Sequence, residues 1–210
     1  MRTRALLLTT TIHLSQGRQS KFDWVGLLHL QHMSLRLIVG PMFAGKTSEI
    51  QSIVRRYRSI GKSVLVLKPA MDKRYDGATS VVSHDKSSTD AMAVEDLGAV
   101  FEEAAFQHAY AVVVDEAQFF KGLREFVGAA IALGKHMIVV GLDGDAEGRP
   151  FTEVLDLVAI ADSVEKKTAL CVHCGAAAIF TRCLKERAAR IEVGGPDMYE
   201  PTCRKHHTGL

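Results

Sequence analysis

Short apolar runs and longer amphipathic stretches alternate along most of this chain. Leu35–Val39, Val64–Lys68, Ala111–Val114 and Met137–Val140 are rich in Leu, Ile and Val, and each predicts a short buried strand. Between the first two, Ile50, Ile53, Val54, Tyr57 and Ile60 recur at helical spacing within Ser48–Ile60. Helical stretches are also expected over Glu95–Gln107 and Leu123–Leu133. Such alternation implies an α/β fold, a mainly parallel sheet with helices on both faces. Right-handed crossovers would then set the loops that carry chemistry at the C-terminal ends of the strands. Residues 69–90 break the pattern: they are polar and irregular, with Asp72, Lys73, Arg74, Asp76, Gly77, Ser83 and His84. A stretch this long without an element is either disordered or functional.

Residues 1–33 do not resemble the rest. Arg2, Arg4, Arg18 and Lys21 precede the first acid, Asp23, and Ala5–Leu8 is too short for a secretory core. Two readings fit: a basic targeting peptide, or an extension upstream of a compact part that begins near Met33 and Ser34. The second, a disordered and nonessential extension, is favoured. Of the 210 residues, 47% are hydrophobic and 24% charged, which predicts a globular core. A net charge of +2 gives no bulk argument for nucleic acid as a partner. No apolar run is long enough to predict a membrane-spanning helix, so no membrane partner is expected.

The first strand runs into Gly40, Pro41, Met42, Phe43, Ala44, Gly45, Lys46 and Thr47, which fit the phosphate-loop pattern in full. The motif lies between an expected strand and an expected helix, which sets it apart from a chance glycine-rich turn. There, backbone N–H groups and the helix N-terminus favour an anion. Lys46 can reach the β- and γ-phosphates of ATP, and the Thr47 hydroxyl can ligate Mg²⁺. The third strand ends in Asp115 and Glu116, as a Walker B strand does. Asp115 can hold Mg²⁺ directly or through water, and Glu116 can serve as a base. Alone, the two acids would equally suit a helix cap. The fold expected from these motifs is a mainly parallel P-loop (RecA-like) sheet.

These motifs leave three functions open. A small-molecule kinase would use Glu116 towards a substrate hydroxyl. A motor-type P-loop ATPase would use it towards water. A zinc-knuckle binding module would merely keep a nucleotide fold. The motor reading wants a ring interface and an arginine supplied in trans, and the module reading wants a basic surface.

All four cysteines lie near the C-terminal end, at 171, 174, 183 and 203. This clustering favours metal binding in a reducing compartment over a disulfide framework. Cys171 with Cys174, and Cys203 with His206, form two pairs of equal spacing. They can close a tetrahedral structural Zn²⁺ site with no position left for substrate water. His173 and His207 are adjacent imidazoles that could be mistaken for ligands. Cys183 fits neither pair and is expected to be a small packed side chain.

Together these residues resemble the type II thymidine kinases, the zinc-containing family of bacteria, viruses and animal cytosol. The likeness spans about residues 34–207. It is carried by residues 40–47, Asp72–Tyr75, Ser83–Asp85, Asp115–Phe120, Gly141–Gly144, Pro150–Phe151, the two knuckle pairs and Val193–Tyr199. The resemblance implies transfer of the γ-phosphoryl of ATP to the 5′-hydroxyl of thymidine or deoxyuridine in deoxynucleotide salvage. It implies Glu116 as general base, Lys46 as phosphate clamp, Thr47 and Asp115 on Mg²⁺, and Arg74 reaching the transferred phosphate. Thymine would be held largely by main-chain bonds beneath a zinc-tethered lasso, at Thr181, Val193, Gly194 and Tyr199, with Met42 and Phe119 packing from the core. Two departures concern the base site. The family usually has Phe at Ala146, with a basic residue at Glu147, and Arg where Cys183 stands. The implied organisation is an extension at 1–33, a nucleotide-binding kinase domain at 34–168 and a zinc-binding lasso domain at 169–210. A cytoplasmic homotetramer, inhibited by thymidine triphosphate, is also implied.

Overall fold

The structure is a computed structural model that describes residues 33–71, 80–82, 88–185 and 194–207. All of these residues fall in one compact unit. The elements follow in chain order. Strand β1 (Leu35–Val39) leads to helix α1 (Lys46–Ser59) and strand β2 (Val64–Pro69). Strands β3 (Ser80–Val82), β4 (Ser88–Asp90) and β5 (Met92–Val94) precede helix α2 (Ala104–His108). Then come β6 (Ala111–Val114), α3 (Leu123–Ala132), β7 (His136–Gly141), α4 (Thr152–Leu155) and β8 (Ser163–Lys166). Four short strands close the chain: β9 (Ala169–Leu170), β10 (Ala177–Ala178), β11 (Phe180–Cys183) and β12 (Tyr199–Thr202).

Six strands form one sheet in the order β5-β2-β6-β7-β1-β8, and every pairing in it is parallel. Alternation along each strand sends side chains to opposite faces. Leu35, Leu37, Val39, Val112, Val114, Met137 and Val139 belong to a core that includes Phe106, Leu123 and Phe126. Ile38, Val66, Val113, Ile138 and Val140 face the other way, onto Ile50, Ile53 and Val54 of α1. The near-continuous apolar character of these strands is what burial on both faces requires. The expected α/β sheet with helices on both faces is therefore present.

The strand expected over Val64–Lys68 runs one residue further, and that over Met137–Val140 is one residue longer at each end. The helix expected over Glu95–Gln107 is not continuous. A 3₁₀ turn, Leu97–Glu102, starts where the Asp96 carboxylate accepts from the Gly98 N–H at 2.9 Å. Glu103 is extended (φ −74°, ψ 129°), and α2 begins after it. Phe101 and Phe106 explain the break. Five residues apart on an unbroken helix, they would point about 140° away from each other. Here they meet edge-on, with centroids 5.2 Å apart. Within the polar segment 69–90, β3 and β4 pair as an antiparallel hairpin, where no element was expected. Strands β5 and β8 were also not expected. β8 contains a single apolar residue, Val164, and lies at the sheet edge beside β1.

This strand order sets the site. β7 alone separates β1, which feeds the glycine loop, from β6, which ends at Asp115. The strands run parallel, so both loops leave the same edge of the sheet, a common place for ligands in open α/β folds.

Candidate active site and metal centre

The glycine loop has a shape its sequence dictates. Gly40 has φ +148°, and a Cβ there would lie 2.4 Å from the Lys167 carbonyl oxygen, so only glycine fits. Phe43 (φ 65°) and Gly45 (φ 73°) are left-handed, the latter at the N-cap of α1. Lys46 is buried, and its Nζ donates to the carbonyl oxygens of Gly40 and Pro41 at 3.0 and 2.7 Å. The ammonium thus sits within the loop that would wrap a phosphate. Thr47 follows in the first turn, half-buried.

The first turn of α1 is tied to the sheet by charge. Glu49 accepts from Arg36 of β1 at 3.1 Å and from Lys167 at 3.3 Å. Glu165 of β8 accepts from the same two cations at 2.7 and 2.8 Å. The bond from Lys167, followed by that from Arg36, lowers the pKa of Glu165. Lys167 in turn is raised, chiefly by Glu165. This network holds Lys167 where its carbonyl abuts Gly40.

At the end of β6, the Asp115 N–H donates to the Leu67 carbonyl at 2.9 Å. The Asp115 carboxylate accepts from the Glu116 N–H at 2.8 Å. Glu116 is left-handed (φ 48°, ψ 44°), so its side chain leaves the strand on a different course from that of Asp115. Its Oε2 accepts from Gln118 Nε2 at 2.6 Å, and Gln118 Oε1 accepts from the Leu142 N–H at 2.9 Å. Gln118, buried in the turn after Glu116, was not singled out from sequence. Its bond to Glu116 is local, but the sequence carries no sign of the second partner, Leu142, until β7 is placed next to β6.

Cys171, Cys174, Cys203 and His206 converge, with ligand atoms all within 4.8 Å of one another. The turn after β9 holds the first pair: Gly175 N–H donates to the Cys171 carbonyl at 2.8 Å, and Cys174 N–H to the same oxygen at 3.3 Å. The second pair follows β12 in a similar turn, with His206 N–H donating to Cys203 O at 3.0 Å. Tetrahedral bonds of about 2.3 Å to sulfur and 2.0–2.1 Å to nitrogen would set S···S edges near 3.8 Å and S···N edges near 3.6 Å. Cys174 and Cys203 Sγ are 3.7 Å apart, and His206 Nδ1 is 3.5 and 3.3 Å from Cys171 and Cys203 Sγ. The residues fit a tetrahedral metal ion bound through Nδ1 of His206. Burial opposes ionisation of the Cys171 thiol. Backbone N–H groups of Cys203 and His173, with the His206 ring, outweigh it and bring its pKa to about 6, towards the thiolate a metal needs.

The neighbouring candidates fall outside the cluster. His173 Nε2 faces Glu200 at 3.1 Å, and His207 stacks on Phe180 at 4.5 Å. Burial, followed by Arg182, lowers the His207 pKa. Cys183 Sγ lies 3.2 Å from the Lys185 carbonyl, half-buried.

The metal cluster touches the glycine loop. Buried Ala169, Cys171, Ala178 and Cys203 form a small apolar group against which Phe43 and Ala44 pack. The Met42 N–H donates to Thr181 Oγ1 at 2.9 Å, so two of the expected base-site residues meet. Phe119 is half-buried beside the acid pair, and Tyr199 is buried on β12, paired with Cys183. Gly194 lies against Met198. Ala146 is half-buried in a loop organised by Asp145, which accepts from the Glu147 and Arg149 N–H groups at 3.0 and 2.9 Å. Arg74 and Val193 lie outside the described residues, as do residues 1–32.

A glycine loop opening a helix, and an acid pair ending a strand one position beyond the neighbouring strand, define a P-loop nucleotide-binding enzyme. The thymidine kinase family model matches residues 33–207. Among relatives, the thymidine kinase of Oryza sativa subsp. japonica is 42% identical over 82% of this chain and 65% of its own. The chain therefore spans about two thirds of the rice protein's length. The vaccinia virus (strain Ankara) thymidine kinase is 36% identical over 83% of this chain and 97% of its own. The human cytosolic thymidine kinase is 38% identical over 81% and 71%. The chain belongs to the thymidine kinase family.

Proposed function

We propose that this enzyme, as a thymidine kinase, transfers the γ-phosphoryl group of ATP to the 5′-hydroxyl of thymidine, with deoxyuridine as a second acceptor. The single observation that carries the chemistry is the common sheet edge from which the glycine loop and the Asp115–Glu116 pair emerge. Glu116 takes the proton of the 5′-hydroxyl. The hydroxyl oxygen then bonds to the γ-phosphorus, and the bond to the β–γ bridging oxygen breaks, leaving its electron pair on ADP. Little covalent help is needed for such a transfer; charge neutralisation and alignment dominate. Lys46 supplies positive charge at the β- and γ-phosphates, the loop amides cradle them, and Arg74 reaches the transferred group. The Thr47 hydroxyl and the Asp115 carboxylate are hard oxygen donors that would hold Mg²⁺, and the ion would supply positive charge to the transfer. Met42, Phe119, Thr181, Val193, Gly194 and Tyr199 hold the base.

Zn²⁺ is the metal this reading assigns to Cys171, Cys174, Cys203 and His206, supported by the edge lengths of the cluster. With four protein ligands it does no chemistry and fixes residues 169–210 as a lasso domain beside the kinase domain of 34–168. The reading also carries a cytoplasmic homotetramer inhibited by thymidine triphosphate, and a dispensable extension at 1–33. Among the described residues no helix is long and apolar enough to cross a membrane.

The test is a phosphorylation assay over the natural deoxynucleosides with ATP and Mg²⁺. Thymidine and deoxyuridine should be phosphorylated, and ADP should form only with an acceptor present. ATP hydrolysis without nucleoside, as the main activity, would replace this reading with that of a P-loop ATPase. Light scattering of the purified protein checks the tetramer separately.

A further inference from the structure

We propose that Gln118 is a positioning residue for the Glu116 carboxylate. The inference rests on Glu116 acting as the base. The orientation of the Gln118 amide follows from its surroundings. The Leu142 backbone can offer only an N–H here, so the atom facing it at 2.9 Å is Oε1. The Nε2 end must then face Glu116, where it donates to Oε2 at 2.6 Å. Gln118 thus bridges the start of the loop after β7 to the acid that ends β6.

Two further observations make the bridge tight. Gln118 is 6% exposed, so water competes little for either bond. A Cβ on Gly141 would lie 3.0 Å from Gln118 Oε1 and 3.3 Å from the Ala117 side chain, so the end of β7 leaves just enough room for this amide. Glu116 itself has a left-handed backbone that a β-carbon disfavours. A side chain leaving so constrained a backbone gains from an external brace. The amide fixes one carboxylate oxygen, and with it the direction of the other. A base misplaced by about 1 Å can lose on the order of 10² in rate, so such a brace has kinetic weight.

The experiment is a cycle of Gln118→Glu and Glu116→Gln, measured as kcat, KM for each substrate, and Tm. Gln118→Glu keeps the acceptor for the Leu142 N–H, removes the donor to Glu116 and sets two carboxylates against each other. We expect kcat to fall by about 10- to 100-fold, with KM for ATP and thymidine within about threefold. In the Glu116→Gln background the same change should alter kcat by less than about twofold, because its target is gone. Gln118→Met, which loses both bonds, should lower kcat and Tm together. Turnover within about threefold of the starting enzyme in Gln118→Glu, with Glu116→Gln impaired, would overturn the inference alone. So would a loss that persists undiminished in the Glu116→Gln background. If Glu116→Gln itself turned over normally, the base assignment would fall, and this inference with it.

Discussion

The parallel sheet and the C-terminal cysteine-rich unit are held together by opposite means. The sheet buries both faces: Phe106, Leu123 and Leu157 are inaccessible on one side, Ile38 and Ile50 on the other. The C-terminal unit consists of two hairpins whose strands have two to four residues. Among the described residues its apolar cluster is only Ala169, Cys171, Ala178 and Cys203, two of them metal-ligand candidates. Leu170 (72% exposed), Val172 (57%) and Leu184 (47%) lie outside. A segment this small cannot bury enough apolar surface to offset the entropy of ordering it. One region folds by burial. The other has four candidate metal ligands in place of a large core, and leans on the glycine loop through Phe43, Ala44 and the Met42–Thr181 bond. The glycine loop is therefore walled on one side by the less self-sufficient region.

The sharpest break in this contrast is removal of the metal. Purified protein should hold about one zinc per chain, and Cys203→Ala should hold none. Coordination in structural sites is worth on the order of 10 kcal/mol or more, far beyond what these hairpins gain otherwise. Thymidine binding should be lost with the metal, while far-UV circular dichroism still reports the sheet. Collapse of the whole fold would show that the two regions are a single cooperative unit. Cys183→Ser should leave the zinc content at one.

The mirror experiment is Phe106→Ala. It opens a cavity beneath Phe101 and Phe126 and should cost about 3–5 kcal/mol of unfolding free energy in denaturant titration. Zinc per folded molecule should not change. Lys46→Ala should separate chemistry from both kinds of stability. Turnover should drop by a factor on the order of 10² to 10³, the scale of losing one preorganised charge donor, with zinc content unchanged. Turnover within about threefold would refute the phosphate role.

The seam between the regions is finer. Thr181→Val removes the acceptor of the Met42 N–H while keeping shape. Losing this part-buried bond costs up to about 1.5 kcal/mol, so nucleotide should bind up to about tenfold more weakly by titration while zinc stays bound. Unchanged affinity would mean that the loop holds its shape without the C-terminal unit. The smallest effect is expected of Ala146→Phe, which offers the base an aromatic face. A stack is worth about 1 kcal/mol at the low end, which would tighten thymidine roughly fivefold. Weaker binding in that variant would mean that the space is already filled.

Strands β1 and β6, the glycine loop and the two metal pairs were legible because each is written in contiguous residues. A buried strand is an apolar run, and a phosphate loop is a set of backbone angles that Gly40 and Gly45 permit and other residues resist. The knuckle spacings likewise bring two ligands into reach within a single turn. What the sequence by itself could not decide are relations between distant residues. β8 reads as polar because it is an edge strand, made by pairing with β1 across more than a hundred residues. The break at Glu103 follows from where the sheet asks Phe101 and Phe106 to point, against a continuous helical period. Gln118 acquires its second partner, the Leu142 N–H, only when β7 is inserted beside β6, and Thr181 meets Met42 only when the C-terminal unit docks on the loop. Local conformation depends on near neighbours and can be read from them. Strand order, docking and the orientation of a buried amide depend on which distant surfaces exclude water together, and the tertiary structure alone settles that.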